Sequence, residues 1–125
     1  GSPSEFGREG VEGGGTVWNQ AMQGINQDVR MKNYRGTARL YLLRSWSLPV
    51  TVPLNQDLHF DVLVEVDQDG KVLGYEVLHE SGNQDMDKSV IRLLEKLQKL
   101  PPLPYSTDGE STKLPIRFVP SEDDW

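Results

Sequence analysis

The 125 residues include no cysteine, so the chain holds no disulfide and no thiolate metal site. That absence leaves the redox compartment open. No apolar run approaches the roughly 20 residues that a membrane-spanning helix needs. Positive charge is in short supply: 13 Lys and Arg stand against 19 Asp and Glu, a formal net charge of −6. Non-specific nucleic-acid binding needs clustered cations and is not expected here. The sequence has no nucleophile elbow, no phosphate-cradling glycine loop and no His-x-x-x-His pair. Carboxylates are plentiful, but no feature of the sequence buries a pair of them to shift a pKa. No enzymatic role, cofactor or small-molecule substrate is expected.

What is present suits one domain with a modest core, since 36% of residues are hydrophobic. Gly1-Ser2 and Glu5-Phe6 are what two common cloning sites encode. Residues 1–6 are therefore set aside as a cloning remnant, and the natural protein is expected to extend upstream. The glycine- and glutamate-rich residues 7–15 complete a flexible linker over 1–15. The domain itself occupies 16–120. The acidic residues 121–125 form a loose tail.

From Thr16, a plausible N-cap, Trp18, Met22, Ile25 and Val29 recur on one face of a helix. Gly24 weakens it by about 1 kcal/mol. Whether this helix packs on the domain or continues a stalk is open at this level. A second helical stretch covers 34–46. Tyr34, Ala38, Tyr41 or Leu42, and Trp46 share a side, with Arg35, Arg39 and Arg44 elsewhere. Pro49 biases Leu48 away from helical geometry. Trp46, a large aromatic at the end of an amphipathic helix, is expected to anchor the core.

The organising stretch is 62–87. Leu58, Phe60, Val62, Val64 and Val66 alternate with mostly polar neighbours, the period of a half-buried strand. Asp67-Gln68-Asp69-Gly70 supplies the turn. A second strand over about 71–80 changes phase near Leu73-Gly74, where a bulge is expected. Asn83 or Ser81 caps the next helix. Asp85 and Asp87 sit in its first turn, where negative charge suits the dipole. Met86, Val90, Leu93, Leu94, Leu97 and Leu100 form its apolar stripe, and Pro101-Pro102-Leu103-Pro104 stops it. After a polar loop containing Asp108-Gly109, Leu114, Ile116 and Phe118 alternate in a short last strand. Pro115 lacks a donor, which argues for an edge. Strand directions place the last strand beside the first if the sheet is antiparallel throughout, with strand one central. The expected fold is α+β: a two-layer, three-stranded antiparallel sheet packed against helices in the order α-(α)-β-β-α-β.

His59 and His79 fall near the same end of adjacent strands, and Asp61 or Glu80 would complete a metal-ligand set. Two surface histidines also meet by chance, and no metal site is assigned. The stronger candidate is the exposed backbone of an edge strand, a template for an added strand. The candidate partner-binding residues are Lys113, Leu114, Pro115, Ile116, Arg117, Phe118 and Val119. Pro115 would also limit self-association.

The ordered set of features resembles the C-terminal domain of the TonB/TolA family. It comprises a strand, a D-x-D-G turn, a strand ending in Ser81-Gly82-Asn83, a helix opened by Asp87, the proline run and the closing Leu114-Pro115-Ile116-Arg117-Phe118. The resemblance covers about 34–120. Tyr34, Trp46 and Pro49 match the Tyr, helix, Trp-x-x-Pro spacing of the TolA-like branch, and the Tyr-Pro pair usual in the TonB branch is missing.

The resemblance implies a periplasmic domain of an inner-membrane-anchored protein that transduces energy to the outer envelope. It implies a TolB-like periplasmic partner or an outer-membrane receptor segment bound by strand addition. It further implies an inner-membrane motor complex engaged through the upstream region, a role in envelope integrity and division, and exploitation by colicins or phage coat proteins. The alternatives are a TonB-like transducer binding the short box of outer-membrane transporters, a structural adaptor domain of a trans-envelope secretion or motility machine, and a small hydrolase or metal protein using the two histidines.

Overall fold

The central strand β1 (Phe60–Val66) is buried along nearly its whole length, which fixes what lies around it. A computed structural model describes residues 7–120, with side chains from residue 15 onward. β2 (Val72–His79) pairs antiparallel on one side of β1, and β3 (Thr112–Phe118) on the other, giving the order β2-β1-β3. Three helices accompany the sheet: α1 (Gly7–Asn26), α2 (Val29–Ser45) and α3 (Gln84–Lys96). The architecture is the expected α+β one, with strand one central. No helix among the described residues is long and apolar enough to cross a membrane.

One face of the sheet carries the main core. Phe60, Val62, Val64 and Val66 of β1 and Leu114, Ile116 and Phe118 of β3 pack with Ala38 and Leu42 of α2 and Met86, Val90 and Leu94 of α3. Burying a side chain of this size contributes roughly 1.5–3 kcal/mol. Trp46 is in this core as expected. Its ring meets Phe118 edge-on at 5.4 Å, and its Nε1 donates to the Ser89 hydroxyl at 2.8 Å. Of the two candidates on α2, Leu42 is buried and Tyr41 exposed.

The hairpin follows from its turn residues. The Asp67 carboxylate accepts from the backbone N–H groups of Asp69 and Lys71, both at 2.9 Å, and Gly70 takes φ +87°. The irregularity expected near Leu73-Gly74 is present: Glu65 pairs with Gly74 and Val66 with Val72, leaving Leu73 as the extra residue. A second irregularity leaves out Leu78.

Three local differences have physical causes. The Trp18-to-Val29 stripe is not one helix. The chain breaks at Gln27-Asp28, where the Asp28 carboxylate caps α2 by accepting from the Arg30 N–H, and Val29 is 71% exposed. Thr16 is no cap, because α1 begins at Gly7, inside the stretch read as linker. Its glycines cost helix propensity; α1 as a whole contacts β2, β3 and α2. α3 ends at Lys96, before the proline run. Its continuation is recruited by the hairpin: Val72 N–H donates to Gln98 carbonyl, and Leu100 N–H to Gly70 carbonyl. Residues 1–6 and the tail 121–125 lie outside the described residues.

Candidate partner-binding edge

Asn83 caps α3 by accepting from the Met86 N–H at 3.0 Å. Asp87 accepts from both the N–H and the hydroxyl of Ser81. This closes the β2-to-α3 corner, and α3 then holds the core behind β1 and β3. Asp87 is therefore a structural residue of this corner.

β3 is an edge strand, and its backbone phase can be read from one residue. Pro115 has no N–H, and its carbonyl accepts from Arg35 Nε at 2.6 Å. In an antiparallel ladder the N–H and C=O of one residue point the same way. Pro115, with Lys113 and Arg117 two residues to either side, therefore turns its backbone groups away from β1, while Leu114, Ile116 and Phe118 bond to it. Lys113 is exposed, Arg117 half-buried and Pro115 buried. The outer edge thus offers full backbone pairs at Lys113 and Arg117, separated by a carbonyl that Arg35 already engages.

The side chains of the edge are organised by an ion pair across the strands. Asp61 faces Arg117 in register, and Arg117 holds both carboxylate oxygens, at 2.7 and 2.9 Å. The hydrogen bond to Asp61 raises the Arg117 pKa above the usual guanidinium value. Burial, together with the charges of Arg39 and Arg117, lowers that of Arg35. The Trp18 indole from α1 lies 4.9 Å from the Arg117 guanidinium and 5.7 Å from that of Arg35. These residues border a cleft of about 500 Å³ that also includes Met22, Arg39, Asp57, His59 and Val119.

His59 and His79 do come together, with rings stacked at 4.2 Å. With Asp61 they place candidate ligand atoms within 4.8 Å of one another. The donor set is poorly disposed for a metal. Arg117 occupies the Asp61 carboxylate, and His79 Nδ1 lies 3.3 Å from the His59 carbonyl. Glu80, the other acid considered, is not part of the cluster.

The other sheet edge is partly covered. The start of β2 is bridged by Lys99 through Lys71 and bonded by Gln98, and its two irregularities interrupt a regular edge. Sequence reasoning located β3 but missed Arg35, Trp18 and Met22. Arg35 and Arg39 share a helix face by their spacing, yet no local signal says that this face meets β3.

A structure search finds the solution NMR structure of TolAIII bound to a peptide derived from the N-terminus of TolB. It is 18% identical, covers 70% of this chain and 73% of that one, and has a TM-score of 0.56. At that identity the likeness is one of fold. No curated protein sequence matches. The family profile described as "TonB C terminal" matches residues 33–118, the span from the second turn of α2 to the end of β3, and the chain accordingly belongs to the TonB C-terminal family.

Proposed function

We propose that the domain is a periplasmic protein-interaction module of a TolA-like, envelope energy-transducing protein, and that it binds an extended TolB-like segment by strand addition along residues 113–119. The observation that carries this is the outward backbone of Lys113 and Arg117 on an edge strand whose outer side pairs with no strand among the described residues. The fold likeness to TolAIII, itself bound to a TolB-derived peptide, supports the partner class. Tyr34 and Trp46, both buried, give the Tyr, helix, Trp-x-x-Pro pattern a structural role and favour the TolA-like branch. Backbone pairing supplies affinity in such a complex, and pockets for alternate side chains supply selectivity. The upstream region would carry an inner-membrane anchor and engage the motor complex, so that force reaches the bound partner through α1 and α2. Colicin or phage coat segments would use the same edge.

The matching family is the TonB C-terminal one, which supports a second reading: binding of the box of outer-membrane transporters. A titration of the chain with a TolB N-terminal peptide and, separately, a TonB-box peptide decides between them. Backbone amide shifts in β3 with the TolB peptide alone are expected. The same shifts with the box peptide alone move the assignment to the TonB-like branch. Silence with both contradicts strand addition and favours an adaptor role.

A further inference from the structure

The chain is acidic overall, yet one cleft gathers three guanidinium groups. Arg35 and Arg39 come from α2, Arg117 comes from β3, and Trp18 and Met22 of α1 form the apolar wall. Arg117 is neutralised by Asp61, and Asp57, which also borders the cleft, acts on Arg117 as well. Arg35 differs from Arg117. It spends Nε on the Pro115 carbonyl, and its two terminal nitrogens have no hydrogen-bond partner among the described residues. A planar fork with free donors beside an indole suits a carboxylate, which can accept from both terminal nitrogens while the stem of its side chain rests on the ring. The cleft also adjoins the outward backbone of Arg117. A strand paired at that residue would run along its mouth.

We infer that the cleft gives the β3 edge a preference for acidic segments: the added strand carries an Asp or Glu whose carboxylate seats on Arg35, with its neighbouring apolar side chain against Trp18 and Met22. This rests on the strand-addition reading above and specifies the partner's chemistry. Arg35 then has two roles. In the free protein its Nε holds the Pro115 carbonyl. In the complex the incoming backbone takes over that carbonyl, and the guanidinium is released to hold the carboxylate.

The test uses the whole chain and two synthetic strand-forming peptides of alternating Val and Thr. One carries two glutamates, and its twin carries glutamines at the same positions. Both are expected to shift β3 amides, with the glutamate peptide about tenfold tighter at low salt, the worth of one charge-assisted hydrogen bond. The preference is expected to shrink as added salt shortens the screening length. It is expected to vanish in Arg35→Gln, which keeps an amide donor for the Pro115 carbonyl, with the melting temperature confirming the fold. Equal binding of the twins, with β3 shifts for both, overturns the acidic preference and leaves strand addition standing. Retention of the preference in Arg35→Gln also overturns it. No β3 shift with either peptide overturns strand addition itself. A chain trimmed after Pro120 serves as a control: a glutamate preference that emerges only there assigns the cleft to the protein's own Glu122-Asp123-Asp124 and overturns the partner assignment.

Discussion

At Gly70 a Cβ would lie 2.1 Å from the carbonyl oxygen of Leu100, with φ at +87°. The close approach is what lets Leu100 N–H reach the Gly70 carbonyl at 2.7 Å. Gly70→Ala is therefore expected to lower the unfolding free energy by about 2–4 kcal/mol in urea melts, from strain plus steric clash. Gly82 has a similar φ of +89° but open space around it, so Gly82→Ala should cost only about 1 kcal/mol. Tyr34 gives a pH prediction. Burial pushes its phenol up from 10.0 to about 12, and its hydroxyl donates to the Pro101 carbonyl at 2.6 Å. The raised pKa means the folded state keeps a proton that the unfolded state has lost. The contribution is complete below pH 10 and is lost as pH rises through 12. Stability should fall across that window, and Tyr34→Phe should flatten the fall while removing the bond at neutral pH. Chemical melts at successive pH values measure both effects.

Among the elements, α1 is the least legible in the sequence and the most consequential for the edge. Its stripe of Trp18, Met22 and Ile25 is visible as helical periodicity, but the same periodicity runs on to Val29 and hides the break at Asp28. The cap was there to be read: an Asp directly before a new helical run. The glycine cluster argues for a linker by propensity alone, whereas the helix runs from Gly7. By contrast the hairpin, the Asn83 cap and the β3 edge were legible, because each depends on turn, cap or proline chemistry within a few residues. The Leu73 irregularity showed as a phase change around Gly74. What no local pattern conveys is which helix face lies over which strand, and that is why Arg35 escaped notice. Trp18 should hold α1 through its contacts with Arg35 and Arg117, each worth about 0.5–1 kcal/mol at a partly exposed site. Trp18→Ala is expected to speed amide exchange over residues 18–26 while leaving α3 unchanged, as read by NMR.

For the molecule as a whole, the arrangement divides labour between two sides of one sheet. α2 and α3 build the main core with Phe60, Val62, Val64 and Val66. On the opposite side of β1, Leu63 remains 4% exposed, and Leu78 of β2 is 3% exposed; α1 contacts both β2 and β3, and its Ile25 joins the main core. β1 is central, the start of β2 is bridged by the chain after α3, and β3 forms the other edge of the sheet. The family match spans both the helix that braces this edge and the edge itself. Amide hydrogen exchange at Lys113 and Arg117, measured with and without a bound TolB N-terminal peptide, tests this account most directly. Slower exchange at these two outward N–H groups, with β2 unchanged, is the predicted result. Unchanged exchange at both in the bound state, or protection that falls on β2 instead, would contradict strand addition at β3.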